Sequence, residues 1–154
     1  MIKENKLLKD FKLPSTNGKI FHLKKDLKQN LIIYAYPKDN TPGCTTESIE
    51  FAKDYKKFKK LNTEIIGVSK DSIESHLKFK SKFKFPFELL SDENIKLIKE
   101  LGAWGEKSMY GKSYMGIERS TFLIDPDGKV TKVWRKVKIP GHAEDVLAQV
   151  QAGG

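Results

Sequence analysis

The chain has 154 residues, of which 38% are hydrophobic and 32% charged, with one cysteine and a formal net charge of +9. That length suits a single domain over residues 1–154 with a full hydrophobic core, which excludes a disordered chain. One cysteine excludes an intrachain disulfide and favours a reducing compartment, so we expect a cytoplasmic protein. Residues 1–10 show no signal-peptide pattern, and the longest apolar run, residues 31–36, is too short to span a bilayer.

The basic charge raises nucleic-acid binding as one function class. Only two of the 29 basic residues are arginines, Arg119 and Arg135, and the lysines are spread along nearly every segment. A solvated lysine surface explains this pattern better than a nucleic-acid stripe does, so we expect no nucleic-acid partner. The alternative of a lysine-rich nucleic-acid-binding domain would require binding that is lost at modest salt.

The first half of the chain alternates strand and helix patterns. Asn17 and Gly18 separate two short apolar runs, residues 11–13 and 20–22, which predicts an N-terminal β-hairpin. Residues 31–36 and 64–68 have the continuous apolar character of buried strands. Apolar residues three or four apart predict helices over residues 44–61 and 72–83, the second capped by Ser72.

The second half continues in the same way. Residues 85–90 are predicted to be extended, residues 91–102 helical, and residues 121–125 a strand. A turn at residues 125–128 leads to a hairpin partner over residues 129–136, and residues 144–150 predict a C-terminal helix. Strands alternating with helices predict an α/β, thioredoxin-like fold, with a central mixed sheet flanked by helices on both faces.

One segment carries the chemistry. A buried strand ends at Pro37, a loop of turn-forming residues follows, and Cys44 then begins a helix. Loops at the carboxyl ends of strands are where open α/β folds bind ligands. A helix N-terminus offers partial positive charge and free N–H groups, which favour a thiolate over a thiol. These N–H groups, including that of Gly43, could also hold a peroxide oxygen on which negative charge develops.

Four other residues are candidates for roles beside this cysteine. The hydroxyl of Thr41 could donate to the thiolate and accept from a peroxide O–H, while Pro37 shapes and shields the loop. Glu47 is placed where a helix-capping carboxylate would lie. Because a carboxylate works against a thiolate, we expect a cation nearby, and the forked guanidinium of Arg119 is the candidate.

Simpler interpretations remain open at each of these residues. A lone cysteine is more often an inert core residue, although that interpretation predicts apolar neighbours, whereas Cys44 lies among threonine, proline, glycine and glutamate. Thr41 and Glu47 could be turn and cap residues only, and Arg119 could be a surface residue. The three histidines form no metal-binding spacing, and the flanking signatures of a cysteine hydrolase are absent, so we expect no metal.

Residues 36–47, YPKDNTPGCTTE, contain Pro37, Thr41 and Cys44 in the Pro-x-x-x-Thr-x-x-Cys spacing of peroxiredoxins. The run resembles that of the bacterioferritin-comigratory, or Q-type, subfamily. Further similarity lies in residues 89–92, 104–107, 110–112 and 119–125. The resemblance implies a thioredoxin fold, a peroxidatic role for Cys44 and activating roles for Pro37, Thr41 and Arg119.

The sequence departs from this subfamily at one position. Many members carry a resolving cysteine five residues after the peroxidatic one, where this chain has Ile49. We therefore expect a thiol-specific peroxidase that reduces hydrogen peroxide and organic hydroperoxides through a Cys44 sulfenic acid and is recycled by an external thiol. The candidate reductants are thioredoxin, glutaredoxin and glutathione; no cofactor is expected. We also expect a monomer. A non-enzymatic peroxide sensor or holdase that uses the same cysteine is the alternative.

Overall fold

The computed structural model describes residues 2–153, which form nine strands and five helices. The strands are β1 Lys12–Pro14, β2 Ile20–His22, β3 Asn30–Ala35, β4 Thr63–Ser69, β5 Glu88–Ser91, β6 Trp104–Met109, β7 Lys112–Ile117, β8 Ser120–Ile124 and β9 Val130–Trp134. The helices are α1 Leu23–Asp26, α2 Pro42–Lys60, α3 Ile73–Phe83, α4 Lys96–Glu100 and α5 His142–Gln151. None of these helices is long and apolar enough to cross a membrane.

A five-stranded sheet forms the centre of the fold, in the order β5-β4-β3-β8-β9. Strands β3, β4 and β5 run parallel, while β8 pairs antiparallel with both β3 and β9. The predicted mixed sheet in a thioredoxin-like fold is therefore confirmed. Parallel strands of this kind have both faces covered, which explains the unbroken apolar character of β3.

Strand β3 supplies side chains to both hydrophobic layers. Ile33 and Ala35 are buried on the side covered by α4 and the N-terminal residues. Ile32 and Tyr34 point to the opposite side, where α2, α3 and α5 contribute Phe51 and other apolar residues. Because successive side chains of a strand alternate between faces, this single strand fixes helices on both sides of the sheet.

The N-terminal hairpin is also confirmed. β1 pairs with β2 from Lys12↔His22 to Pro14↔Ile20. Gly18 adopts a positive φ of 81°, a conformation that glycine takes readily. The N–H of Lys19 donates to Asn17 Oδ1 at 2.9 Å, so the Asn17-Gly18 pair makes the turn.

Several element boundaries differ from those predicted. Helix α2 begins at Pro42, two residues earlier than expected, because proline suits the first helical position. The helix predicted over residues 91–102 is wrong in length: Ser91 completes β5, and α4 spans only Lys96–Glu100. Ile95, just before α4, is left-handed with φ 52°, and a helix cannot continue through that conformation.

Candidate active site

Cys44 is the third residue of α2, beyond the carboxyl end of β3. The first intrahelical bond runs from the N–H of Thr45 to the carbonyl of Thr41 at 2.9 Å, so the N–H groups before it point out of the helix end. Cys44 is only 1% exposed and packs into the core layer that contains Phe51 and Tyr34. The thiol is thus enclosed, at the positive end of a helix of 19 residues.

Arg119 lies directly before β8, the strand that pairs with β3 on the side away from β4. Its Nη2 donates to Cys44 Sγ at 3.3 Å, and its Nη1 donates to Glu47 Oε1 at 2.6 Å. The backbone carbonyl of Arg119 accepts from the N–H of Val137 at 3.0 Å, which fixes the start of the strand. One planar guanidinium therefore contacts the sulfur and the carboxylate together.

The charge on Arg119 is secured by its surroundings. Burial by itself lowers the pKa of Arg119, but the negative charges of Glu47 and Cys44 outweigh burial, so the pKa is raised. The guanidinium consequently stays charged while a thiolate forms beside it. A fixed positive charge in a buried site stabilises negative charge on sulfur, and on an oxygen that leaves it, more strongly than the same charge would in water.

Glu47 has a different position from the one predicted. It is not a cap, because α2 begins at Pro42 and its N-cap residue, Thr41, has no side-chain capping bond. Glu47 lies one turn further along, is 1% exposed and reaches Arg119 through Oε1. Within residues 2–153, the buried Oε2 atom meets no hydrogen-bond partner.

Burial dominates the ionisation of Glu47. It raises the pKa of this carboxyl to about 7, although the charge and hydrogen bond of Arg119 act in the opposite direction. Burial outweighs pairing in the pKa of Glu47 but not in that of Arg119. The Glu47 side chain is 1% exposed and that of Arg119 16% exposed, so desolvation acts mainly on the carboxylate.

Thr41 and Gly43 flank Pro42 at the start of α2, just before Cys44 in the sequence. The hydroxyl of Thr41 donates to the carbonyl of Lys38 at 2.9 Å, so the expected bond to the thiolate is not formed. A Cβ on Gly43 would lie 3.3 Å from Arg119 Nη2 and 3.2 Å from Ile139 Cδ1. Glycine therefore lets the guanidinium approach the helix end. Pro37 follows β3 and opens the loop.

Two buried histidine contacts near this site were not predicted. His142 begins α5, and its Nε2 lies 2.7 Å from Thr121 Oγ1. Burial lowers the pKa of His142 to about 4, with Arg119 adding to the effect and Asp145 opposing it. His76 on α3 pairs with Asp39 of the loop at 2.7 Å. The sequence gives no signal for either pairing, because 21 and 37 residues separate the partners.

Asp71 lies beside the Asp39–His76 pair. One potential metal-ligand atom from each of the three residues lies within 4.8 Å of the other two. These atoms already have hydrogen-bond partners: Asp71 Oδ2 accepts from Ser69 and from the N–H of Asp39. Hydrogen bonding accounts for the cluster, and the expectation that no metal is bound stays a prediction.

Comparisons with known proteins identify the family of this chain. The family model described as AhpC/TSA family matches residues 5–133. Peroxiredoxin Bcp of Bacillus subtilis is 46% identical over 138 residues, covering 90% of this chain and 88% of the relative. Peroxiredoxin Bcp of Xanthomonas campestris is 51% identical over 122 residues, covering 79% and 76%.

Solved structures show the same relationship. A PrxQ variant of Xylella fastidiosa superposes with a TM-score of 0.94 at 39% identity, covering 99% of this chain and 98% of that one. The bacterioferritin comigratory protein of Xanthomonas campestris, described with its alkyl peroxide reduction activity, gives 0.88 at 45% identity, covering 93% and 91%. The thioredoxin-like sheet, together with peroxiredoxin relatives at 46% and 51% identity over most of the chain, shows that this protein is a peroxiredoxin. The chain belongs to the AhpC/TSA family, and its relatives are Bcp and PrxQ peroxiredoxins.

Proposed function

We propose that this peroxiredoxin works as a one-cysteine peroxidase, in which Cys44 reduces a hydroperoxide and an external thiol restores it. The contact that carries the proposal is Arg119 Nη2 to Cys44 Sγ at 3.3 Å, at the start of α2. Cys44 is the only cysteine of the chain, and Ile49 stands where many Q-type relatives have a second one. The sulfenic acid therefore has no partner within the same chain.

The oxidation step transfers two electrons from sulfur to the peroxide. The Cys44 thiolate attacks one peroxide oxygen in line with the O–O bond, the S–O bond forms and the O–O bond breaks. The departing oxygen leaves as hydroxide or alkoxide and takes a proton to become water or an alcohol. Arg119 and the N–H groups at the start of α2 stabilise the charge on that oxygen. While it donates to the carbonyl of Lys38, the Thr41 hydroxyl can still accept from a peroxide O–H, whereas donation to the thiolate would require it to turn away.

The recycling step uses two external thiols. The first attacks the Cys44 sulfenic acid, releases water and forms a mixed disulfide; the second forms a disulfide with the first and returns Cys44 to the thiol. Thioredoxin, glutaredoxin and glutathione all have the required chemistry. The single cysteine favours a reducing cytoplasmic setting. We propose that the protein has no nucleic-acid partner, since the lysines are scattered rather than clustered. We also propose a monomer, because the sequence shows no extra arm or coiled-coil segment.

Both substrate classes, hydrogen peroxide and organic hydroperoxides, fit the proposal. The Xanthomonas campestris protein described with alkyl peroxide reduction activity is 45% identical to this chain. The attack requires only the O–O bond and a leaving oxygen, so the organic group affects binding rather than the chemistry.

The test is a stopped-flow titration with hydrogen peroxide and with an alkyl hydroperoxide, followed by intact-mass spectrometry. Peroxide alone should give a short-lived sulfenic acid and then sulfinic acid, because nothing in the chain captures the intermediate. Glutathione or a thioredoxin should give a mixed disulfide at Cys44 and sustained turnover. Cys44→Ser should abolish peroxide reduction while remaining folded, since oxygen replaces sulfur beside the donor nitrogen of Arg119.

Three results would contradict the proposal. Activity retained in Cys44→Ser would remove Cys44 from the chemistry. A persistent covalent dimer as the main oxidised product, in the presence of small thiols, would show a dimeric cycle instead. Consumption of one equivalent of peroxide, without turnover in the presence of thioredoxin, glutaredoxin or glutathione, would favour the alternative function of a non-enzymatic peroxide sensor.

A further inference from the structure

The loop that leads to Cys44 is fastened to the rest of the fold through one buried residue, Asp39, which is 7% exposed. Its Oδ1 accepts from the hydroxyl of Tyr36 at 2.6 Å, and its Oδ2 accepts from the hydroxyl of Ser75 at 2.8 Å. Its backbone N–H donates to Asp71 Oδ2 at 2.9 Å. Contacts from the end of β3, from α3 and from the β4–α3 connection thus converge on this single loop residue.

His76 joins Asp39 to the central sheet. The imidazole is fully buried; its Nε2 lies 2.8 Å from the carbonyl of Leu90 on β5, and its Nδ1 lies 2.7 Å from Asp39 Oδ2. A carbonyl only accepts, so Nε2 carries a hydrogen. One further proton must lie between Nδ1 and Oδ2, donated either by an imidazolium or by a protonated carboxyl. In both forms the pair is neutral, and both ring nitrogens have partners.

The conformation of the loop depends on the bond from Asp39 to His76, which attaches it to α3, whereas the bond to Leu90 orients the imidazole. Asn40 follows Asp39 with a left-handed φ of 60°, and Thr41 then becomes the N-cap residue of α2. Two residues therefore connect the buried pair to the helix end that presents Cys44. Among the described residues, no hydrogen bond links the side chain of Asp39 or His76 to Cys44, so any influence on the sulfur passes through the loop. A misplacement of about 1 Å in a reacting group can cost about 100-fold in rate.

We propose that Asp39 and His76 are a positioning pair for the peroxide reaction: they hold residues 37–41 so that the first turn of α2 keeps Cys44 against Arg119. The inference rests on the proposed peroxidase chemistry of Cys44. It assigns a function to a buried polar pair that the reaction itself does not consume. The pair keeps the sulfur enclosed as well as aligned, since Cys44 is 1% exposed while the loop is in place.

The experiment uses two substitutions that separate the two bonds of His76. In His76→Asn, the amide nitrogen occupies the Nδ1 position and still donates to Asp39, but the bond to Leu90 is lost. In His76→Gln, the amide nitrogen occupies the Nε2 position and still donates to Leu90, but the bond to Asp39 is lost. Each variant is measured for the rate of Cys44 oxidation by hydrogen peroxide, for the rate of Cys44 alkylation by N-ethylmaleimide and for unfolding in urea.

We expect His76→Gln to react with peroxide at least ~10-fold more slowly, and with N-ethylmaleimide faster, because a loosened loop misaligns and exposes the sulfur together. Both rates of His76→Asn should stay within about threefold of the wild-type rates, even if this variant unfolds at a lower urea concentration. The matched control is His22→Asn, whose shorter amide does not reach the Nε2 position and therefore removes a second histidine–aspartate bond, His22 Nε2 to Asp10 Oδ2 at 2.6 Å, on the N-terminal hairpin. That control should leave both rates unchanged.

The proposal is overturned if folded His76→Gln keeps both wild-type rates, or if His76→Asn loses as much peroxide rate as His76→Gln. If His76→Gln does not fold, Asp39→Ala and Asp39→Asn provide the same contrast, because asparagine can donate to Nδ1 and alanine cannot. Alkylation does not require peroxide chemistry. A wild type inert to peroxide would therefore refute the proposed function, while the alkylation rates would still decide whether the pair holds the loop.

Discussion

Each of the two arginines uses both terminal nitrogens of its guanidinium in hydrogen bonds. Arg119 bridges Cys44 and Glu47. Arg135 donates to the carbonyls of Gly102, Ile2 and Leu101 at 3.3, 2.9 and 3.0 Å. An ammonium is a compact point charge and cannot reproduce these divergent contacts, which explains why lysine, so common elsewhere, is not found at either position.

Arg119→Lys should slow the reaction with peroxide by at least ~10-fold, about 1.4 kcal/mol in the activation barrier. The charge survives the substitution, but one ammonium cannot hold the Cys44 sulfur and the Glu47 carboxylate in the present geometry. Stopped-flow kinetics measures the effect. Arg135→Lys is the control, expected to lower the free energy of unfolding and to leave the rate of the folded protein unchanged. A wild-type rate in Arg119→Lys would make Arg119 a structural residue.

Glu47 should make stability depend on pH. Its pKa is about 7 in the folded protein and 4.5 as the ordinary value, so between these the folded state binds more protons than the unfolded state. The contribution of Glu47 to the free energy of unfolding is therefore highest below about pH 4.5, falls as the pH rises to about 7, and is constant above that. A tenfold difference in the proton affinity of this carboxyl between the folded and unfolded states corresponds to about 1.4 kcal/mol.

Glu47→Gln tests this dependence, because glutamine resembles the protonated acid. Urea unfolding should give matching stabilities for the variant and the wild type near pH 4, and a more stable variant from about pH 8 upward. If the variant is less stable than the wild type at the higher pH, then the pairing with Arg119 outweighs burial, and the carboxyl is ionised throughout that range.

At the scale of elements, the hairpin of β6 and β7 is the part that our sequence interpretation missed. The two strands pair from Trp104↔Ile117 to Met109↔Lys112, as a two-stranded sheet of their own. Most of the β7 side chains are exposed, so the segment lacks the apolar alternation that reveals a half-buried strand. The two-residue loop between them, Tyr110-Gly111, has positive φ at both positions, 52° and 76°.

This turn allows a prediction about stability. Tyr110 is 97% exposed and left-handed, a conformation that asparagine adopts more readily than tyrosine. Tyr110→Asn should therefore raise the free energy of unfolding by ~0.5 kcal/mol. Gly111→Ala, which places a Cβ at a positive φ, should lower it by about 1 kcal/mol. Urea denaturation measures both, and an unchanged or lowered stability in Tyr110→Asn would show that the tyrosine ring has a packing role outweighing the turn.

Elements with strong periodicity were predictable, whereas those set by side-chain contacts were not. The Ser72 cap of α3 is confirmed, since the N–H of Ser75 donates to Ser72 Oγ at 3.2 Å. The sequence around α4 invited a longer helix, yet the Asp92 carboxylate accepts from the N–H groups of Lys96 and Ile98. Those two hydrogen bonds fix the start of α4 at Lys96, directly after the left-handed Ile95. Nothing in the local pattern of charges or apolar residues indicates these bonds.

At the scale of the whole molecule, the sequence predicted the position of the site and Arg119 as its cation, but not the contacts that hold the loop. The buried strand β3 followed by turn residues and a helix puts Cys44 at the carboxyl edge of the sheet by topology alone. Arg119, directly before β8, contacts the sulfur, and the Asp39–His76 pair joins the loop after β3 to α3; both contacts depend on the folded register of the sheet. Only the three-dimensional arrangement shows that Glu47 faces Arg119 rather than the helix end.

Because the chain has only two arginines, an arginine-specific endoprotease can cut it at two positions, after Arg119 and after Arg135. Both side chains are part-buried, and Ser120, which follows the first, is fully buried, so the native protein should resist cleavage. A cut after Arg119 requires the sheet to open where β8 pairs with β3, whereas a cut after Arg135 requires that side chain to release the carbonyls of Ile2, Leu101 and Gly102. A single gel would thus show which region unfolds first, because the two cuts give different fragments: 1–119 with 120–154, or 1–135 with 136–154.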